Sequence, residues 1–227
     1  ATLDALSPFA PWFASIGANA YWAIGQFATK RPRYRSPRTI KRLEPSIEID
    51  SLLGGIEYSD YLLIENDSRF VIQMLVDAEE RGAAVSNYTT VIEAERVSQK
   101  WKLKVRDQIL GKEFEVSSDV LVNAAGPEIK EISEMTKTET ESHLVFSKGV
   151  HLVVPKVTDS GRILAFFDET QRLFYVIPMG KCSVIGTTDE RVEKPEVSVE
   201  GADIEFLLQE ANRKLSLSRP LLKEDII

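Results

Sequence analysis

Few side chains in this sequence are of the types that carry out chemistry on their own at neutral pH. The 227 residues include two histidines, His143 and His151, and a single cysteine, Cys182. One cysteine excludes an internal disulfide, and so few soft ligands argue strongly against a structural zinc site. No G-x-G-x-x-G, P-loop, H-E-x-x-H or G-x-S-x-G motif is present. The chemistry within reach is proton transfer by a histidine and anion binding by lysine and arginine.

The charge of the chain is unevenly distributed. Residues 1–45 hold seven Lys or Arg against two acidic residues, a net charge of +5, although the whole chain carries −7. Such a basic run can attract phosphate, nucleic acid or an anionic membrane surface, and a solvated connector is the plain alternative. Tyr34 is the one aromatic residue among these charges, so we expect no nucleic-acid binding.

Residues 5–29 contain no charged side chain. A membrane-spanning helix needs about 20 mostly apolar residues, whereas this stretch is diluted by prolines, glycines and amides. It therefore predicts a buried or interfacial helix that does not span a membrane. Its large side chains are Trp12, Phe13, Ile16, Tyr21, Trp22 and Phe27.

The next elements are punctuated by proline and glycine. Residues 31–45 form a Pro- and Arg-rich connector, and its RPRYRSPR stretch at 31–38 should hold no regular helix, because each proline disfavours helical geometry just before it. Residues 54–58 predict a turn into a short strand. A helix should then begin at an N-cap of Asp67 or Ser68 and end at Gly82.

Alternating and continuous apolar patterns predict two sets of strands. Residues 84–118 read as a small antiparallel meander, and the continuous apolar run 120–126 is typical of a strand buried on both faces. After a short helix at 128–135, strands are expected at 150–155, 163–167, 173–178 and 183–188. A helix should cover 200–215. The fold class is therefore α+β, with a four-stranded antiparallel sheet backed by helices.

Several segments resemble the FAD-dependent glycerol-3-phosphate dehydrogenases, which are D-amino-acid-oxidase-like flavoproteins. They are GGIEYSD at 54–60, AEERGA at 78–83, VNAAGP at 122–127, SKGVHLVVP at 147–155, RLFYVIP at 172–178 and IGTTD at 185–189. The last three, in this order and spacing, carry the resemblance, because many flavin oxidoreductases share N-A-A-G. The sequence departs from the family pattern at Glu128, where the family has Trp, and at Val150, where it has Ser.

The resemblance implies an internal fragment of a two-domain flavoenzyme. Residues 1–50 would be a helical and basic connector associated with the substrate domain, 51–130 a partial FAD-binding domain, and 131–227 the substrate-binding domain. The family's G-x-G-x-x-G strand–turn–helix, which binds the FAD pyrophosphate, is expected before residue 1. We therefore expect this chain alone to bind FAD weakly or not at all.

The resemblance also implies roles for individual residues. His151 stands at the family's active-site histidine, and a neutral imidazole can take the proton of a substrate hydroxyl. Arg172 and Lys148 are candidates for binding a phosphate, and Tyr175 and Thr188 for lining the pocket. No metal is expected. The residues expected to approach the cofactor are Val91, Ala124, Ala125 and Gly126, of which the last three are small enough for close contact.

The implied reaction is the conversion of glycerol 3-phosphate to dihydroxyacetone phosphate by hydride transfer to FAD. A quinone or another acceptor would take the electrons, and the protein would be cytoplasmic, with peripheral attachment to the inner face of a membrane as a compatible location. Two other interpretations stay open. One is a sister flavin oxidase acting on an amine or a 2-hydroxy acid, and the other is a non-catalytic binding module without a flavin domain.

Overall fold

The computed structural model describes residues 11–50, 52–63, 66–138, 144–167, 173–194 and 198–227. Within these residues the helices are α1 (Pro11–Ile24), α2 (Pro37–Leu43), α3 (Asp67–Glu80), α4 (Ile129–Thr136) and α5 (Gly201–Lys214). The strands are β1 (Arg33–Arg35), β2 (Gly55–Glu57), β3 (Thr89–Val97), β4 (Lys100–Asp107), β5 (Glu113–Ser118), β6 (Phe146–Lys148), β7 (His151–Pro155), β8 (Leu164–Phe167), β9 (Leu173–Met179), β10 (Cys182–Gly186) and β11 (Glu190–Val192).

The chain forms two compact units. The first comprises Ala1–Tyr61, Ser147–Val192 and Glu196–Ile227, and the second comprises Leu62–Phe146 with Glu193–Pro195. The division of the sequence at residues 50 and 130 stays a prediction. The expected α+β mixture of helices with antiparallel sheets is confirmed.

The first unit is built on a four-stranded antiparallel sheet with the order β7-β10-β9-β8. All four strands lie within about two residues of the predicted positions. Side chains alternate between the two faces of each strand, and on one face Val154, Val176 and Ile185 have no exposed surface. Helix α5 packs against this face with Leu207, Leu208 and Ala211 buried. Burying side chains of this size stabilises the fold by about 1.5–3 kcal/mol each.

The charged residues at the two ends of helix α5 are favourable for the helix dipole. In its first turn the carboxylate of Asp203 accepts a hydrogen bond from the backbone N–H of Glu200 at 2.8 Å, and Arg213 and Lys214 stand in its last turn. Acidic groups near a helix N-terminus and basic groups near its C-terminus are favoured by the helix dipole. The position of α5 over the sheet is therefore supported both by burial and by its ends.

The second unit contains the predicted meander, in the order β3-β4-β5, and α4 packs against β3. Among the residues of this unit that the structure describes, Val105 and Ala94 are buried, at 5% and 8% exposure. Charged residues pair between the central strand β4 and the outer strand β5, with Glu113 within 2.8 Å of Lys104 and 2.6 Å of Arg106. Pairs this exposed contribute little stability.

The strand predicted at 120–126 is wrong. Residues 120–125 have no regular structure, Gly126 opens a 3₁₀ turn, and Val120 and Val122 are 73% and 77% exposed. A strand buried on both faces takes its hydrogen bonds and its cover from neighbouring strands, and no strand of the described residues lies beside this segment. The apolar pattern alone does not supply that neighbour.

Two helix starts also differ from expectation. A helix begins at the end of the RPRYRSPR stretch, where none was expected, because Pro37 occupies the first position of α2 and its missing N–H is harmless there. Ser36 is its N-cap and accepts a hydrogen bond from the N–H of Thr39. In α3 the N-cap is Asn66 rather than Asp67 or Ser68, and its side chain accepts from the N–H of Arg69 at 3.1 Å.

Helix α1 carries many of its large side chains at the surface. Trp12, Ile16 and Ile24 are 50%, 59% and 82% exposed. The ring of Trp22 packs against Phe27 with centroids 4.7 Å apart, and its indole N–H donates to the carbonyl of Thr29. In the part of the chain that the structure describes, no helix has both the length and the apolar character needed to cross a bilayer.

The last turn of the chain is held by an ion pair that should make the free energy of unfolding depend on pH in the acidic range. Arg219 binds Asp225 through both guanidinium nitrogens, at 2.7 and 2.6 Å, and this contact lowers the pKa of the carboxyl group to about 2. Because the folded pKa is below the unfolded value of 3.8, the stabilisation is complete above pH 4 and is lost as the pH falls towards 2.

We predict that Asp225→Asn lowers the denaturant midpoint at pH 6, and that the difference from the unmodified protein narrows between pH 4 and pH 2. Denaturant unfolding over this pH range measures it. The exposed neighbour offers a control, since Glu224→Gln should leave the midpoint unchanged. A pH-independent difference for Asp225→Asn would contradict the assignment.

Candidate active site

One face of the four-stranded sheet is covered by α5, and the opposite face carries a row of four directly paired residues. In this row His151 of β7 is paired with Gly186 of β10, Gly186 with Tyr175 of β9, and Tyr175 with Ala165 of β8. Residues directly opposite each other in an antiparallel pair project to the same face. The structure therefore brings His151 and Tyr175 to one face, about 10 Å apart, since two strand spacings separate their backbones.

Gly186 leaves open the space between these two side chains. Its φ of +147° is unfavourable for residues with a side chain. A Cβ atom at this position would lie 2.7 Å from the carbonyl oxygen of Val150 and 2.9 Å from Cδ2 of His151. Glycine is therefore required both by the backbone and by the histidine ring. Sequence reasoning did not single out Gly186, although the IGTTD segment contains it.

Thr188 fixes the backbone beside the histidine. Its hydroxyl oxygen accepts a hydrogen bond from the N–H of Val150 at 2.9 Å, and its own N–H donates to the carbonyl of Val150 at 3.3 Å. The residue is only 8% exposed. These bonds hold the start of β7, where His151 is exposed at the surface of the first unit.

Lys148 lies at the centre of a group of carboxylates. Its ammonium nitrogen is 3.0 Å from Oδ2 of Asp203, 3.4 Å from Oε2 of Glu190 and 3.9 Å from Oε1 of Glu200. The side chains of Lys148 and Asp203 are 6% and 7% exposed. The hydrogen bond to Asp203 raises the pKa of Lys148, and the N–H of Glu200, followed by Lys148, lowers the pKa of Asp203. Both groups are charged at neutral pH.

A group of phenols accompanies Tyr175. Burial, and then the nearby Tyr175, raise the pKa of Tyr58. The rings of Tyr58 and Tyr21 pack edge to face with centroids 6.4 Å apart, and the hydroxyl of Tyr21 donates to Asp60 at 3.1 Å. None of these three residues was predicted as a site residue. Tyr58 and Asp60 belong to the GGIEYSD segment, but only the tertiary structure places Tyr58 near Tyr175.

In the second unit, the small residues expected near the cofactor lie on an exposed loop held by Asn123. The amide of Asn123 donates to the carbonyl of Ile129 at 2.9 Å and accepts from the N–H of Ala125 at 3.3 Å. Ala124 and Gly126 are exposed, and Gly126 has a φ of +58°. Nothing lies within 4 Å of a Cβ placed on Gly126, so this loop offers open backbone for the close approach of a ligand.

The remaining predicted residues are placed as follows. Val91 is half-buried in β3, at the bulge where the pairing with β4 shifts. Arg172 lies outside the described residues, and so does His143. Among the described residues, no group of three or more His, Cys, Asp or Glu side chains is arranged to hold a metal ion.

Comparison with known proteins shows the family and the fold of the chain. The sequence profile of the family described as FAD dependent oxidoreductase matches residues 12–226. The chain belongs to this family. The glycerol-3-phosphate dehydrogenase of Bacillus halodurans, solved in complex with FAD, superposes with a TM-score of 0.72 at 24% identity, over 87% of this chain and 42% of that one. This likeness shows that the fold is that of a flavoprotein dehydrogenase.

The curated relatives of this chain are named as dehydrogenases of polyol phosphates. The aerobic glycerol-3-phosphate dehydrogenase of Staphylococcus haemolyticus is 28% identical over 96% of this chain and 42% of its own length. The glycerol-3-phosphate dehydrogenase of Mycobacterium leprae is 32% identical over 82% and 32%. The D-erythritol 1-phosphate dehydrogenase of Brucella abortus is 27% identical over 95% and 43%. The chain thus spans less than half the length of these relatives.

We predict that Gly186→Ala lowers stability by about 1–3 kcal/mol, because the new methyl group meets a backbone oxygen in a conformation that already disfavours a side chain. Thermal unfolding of the complete protein measures the loss of stability. Gly161→Ala is the matched control, since a Cβ there has nothing within 4 Å, and its melting temperature should not move. Equal melting temperatures for the two variants would show that Gly186 is not under this constraint.

Proposed function

We propose that the full protein oxidises glycerol 3-phosphate to dihydroxyacetone phosphate with FAD as its cofactor. The observation that carries the proposal is the row His151–Gly186–Tyr175, which presents an imidazole and a phenol on one face of the sheet with a glycine between them. The family to which the chain belongs supplies the cofactor class. Three relatives from separate organisms are named for this substrate or for another polyol phosphate.

The reaction removes a hydride from C2 of the substrate and a proton from the hydroxyl group on the same carbon, which leaves a carbonyl. Bound FAD would supply the acceptor for the hydride. We assign the proton to a ring nitrogen of His151, since a neutral imidazole is a competent base near pH 7. Thr188 holds the backbone of Val150, and Gly186 is paired with His151, which would limit the freedom that the histidine loses on binding the substrate.

The phosphate needs a cationic partner. We assign this role to Arg172, because a guanidinium binds a phosphate through two parallel hydrogen bonds. The phenol of Tyr175 would line the space above Gly186 and can donate to a hydroxyl or phosphate oxygen. Thr188 would contribute through the backbone that it holds. Lys148, the other candidate for the phosphate, is already surrounded by three carboxylates.

The loop at Ala124, Ala125 and Gly126 would contact FAD through its backbone. Its small side chains and the left-handed Gly126 suit close approach, and Val91 would lie by the adenosine half of the cofactor. The 227 residues contain no G-x-G-x-x-G segment for the pyrophosphate. We therefore predict that the isolated chain binds FAD weakly or not at all in a fluorescence titration, and a tight stoichiometric complex would overturn that prediction.

We also propose a peripheral contact with an anionic membrane surface, which would give access to a quinone acceptor on the cytoplasmic side. Its support is the half-exposed aromatic residues of α1 together with the basic run that follows. Cosedimentation with vesicles containing phosphatidylglycerol, compared with neutral vesicles, tests it. Equal binding to both kinds of vesicle, or none, would contradict it.

We predict that glycerol 3-phosphate bleaches the visible flavin band of the complete, FAD-loaded protein when oxygen is excluded. His151→Ala should slow the bleaching by about 10²–10⁴-fold, the usual contribution of a positioned general base. The natural control is His143→Ala, because no role is assigned to the other histidine of the chain. Stopped-flow absorbance measures all three rates.

Each outcome of this experiment has a distinct meaning. Bleaching by D-erythritol 1-phosphate alone would move the substrate to a longer polyol phosphate, as in the Brucella abortus relative. Bleaching by an amine or a 2-hydroxy acid alone would favour a sister oxidase. Flavin bound without any reduction, or no flavin bound by the complete protein, would reject the proposed reaction. The second of these results would leave only a binding module.

A further inference from the structure

Among the described residues of the first unit, the most deeply enclosed charged pair lies close in sequence to the proposed base. Lys148 and Asp203 are both at least nine-tenths buried and meet at 3.0 Å. Lys148 ends β6 and is separated from His151 by only Gly149 and Val150. The pair therefore connects the first turn of α5 to the chain that leads directly into β7.

The same short segment is held by further contacts. The hydroxyl of Ser147 donates to Asp189, and β6 pairs with β11. Gly149 packs so closely that a Cβ there would lie 2.9 Å from Oγ1 of Thr187. Residues 147–150 are thus held successively by a hydroxyl–carboxylate bond, a buried ion pair, a glycine contact and a bond to Thr188. His151 comes next along the chain.

The negative charge around Lys148 disfavours the binding of a phosphate group by its side chain. Asp203, Glu190 and Glu200 all lie within 4 Å of its ammonium group, so carboxylates outnumber the cation. A phosphate group would have to replace at least one of them and approach the others, and like charges repel at such distances. The side chain is also only 6% exposed, which leaves little surface for a ligand.

We propose that Lys148 is a positioning residue for His151, acting through its buried ion pair with Asp203, and not a ligand of the substrate phosphate. This inference rests on the proposed function for its kinetic consequence, although the structural link to His151 does not. Removing one partner of a buried pair leaves a charge without compensation, whereas replacing both with apolar residues of similar size is often tolerated. A double-mutant cycle therefore separates the two roles of Lys148.

The cycle compares Lys148→Met, Asp203→Leu and the double variant in the complete FAD-loaded enzyme. Each single variant should lower kcat by about 10-fold or more and change KM for glycerol 3-phosphate by less than about 3-fold, because a misplaced base affects the chemical step rather than binding. The double variant should regain most of the lost kcat. Lys100→Met with Asp119→Leu, which removes an exposed pair at 3.2 Å, is the control and should leave both constants unchanged.

A phosphate ligand would behave differently. Lys148→Met would then raise KM by about 10²-fold whether or not Asp203→Leu is present, and this result would overturn the proposal. Additive losses of kcat without recovery in the double variant would also overturn it. Should a single apolar variant fail to fold, Asp203→Asn retains the size and one acceptor oxygen of the side chain and takes the place of Asp203→Leu in the comparison.

A second measurement does not depend on the substrate being correct. The imidazole signals of His151 in ¹H–¹⁵N spectra, assigned by their loss in His151→Gln, should shift in Lys148→Met and return towards their original positions in the double variant. If the enzyme does not act on glycerol 3-phosphate but these shifts occur, the proposed function fails and the positioning role stands. If the His151 signals stay in place in every variant, the positioning role fails even when the reaction is confirmed.

Discussion

The pairing of β10 on both of its edges is the constraint on which the candidate site depends. Its register sets His151 and Tyr175 opposite Gly186, while Ile185, one residue earlier, belongs to the face covered by α5. A shift of one residue in either ladder would exchange the two faces, so that apolar core side chains would be exposed and the histidine would be turned inwards. The hydrophobic core therefore specifies the geometry of the site, because the same alternation serves both.

The parts of this arrangement that follow from local patterns could be predicted from the sequence. Apolar periodicity predicts the four strands of the sheet and α5 within about two residues, and it predicts the meander with a first strand that starts about five residues too early. The start of α2 does not follow from treating proline as a helix breaker, because proline at the first position of a helix favours it. The apolar run at 120–126 predicts a strand, and the prediction is wrong because such a run carries no information about whether a partner strand is present.

The residues that the sequence did not reveal are those whose roles arise from pairing over long distances. Gly186 gains its importance from Val150 and His151, more than thirty residues earlier. Asp203 is 55 residues from Lys148, and a carboxylate in the first turn of a helix is ordinary until the buried ammonium group beside it is known. Family resemblance named His151 and Lys148, but only the contacts distinguish an exposed imidazole from an enclosed cation.

The fourth member of the row, Ala165, lies opposite Tyr175 at the outer strand β8 and is exposed. Its small size leaves the end of the row beyond Tyr175 open. A larger side chain could be accommodated here without disturbing the hydrogen bonds of β10 or the core beneath it, in contrast to position 186. The backbone of the central strand thus restricts position 186 to glycine, while the edge strand β8 places no such backbone demand on the residue at position 165.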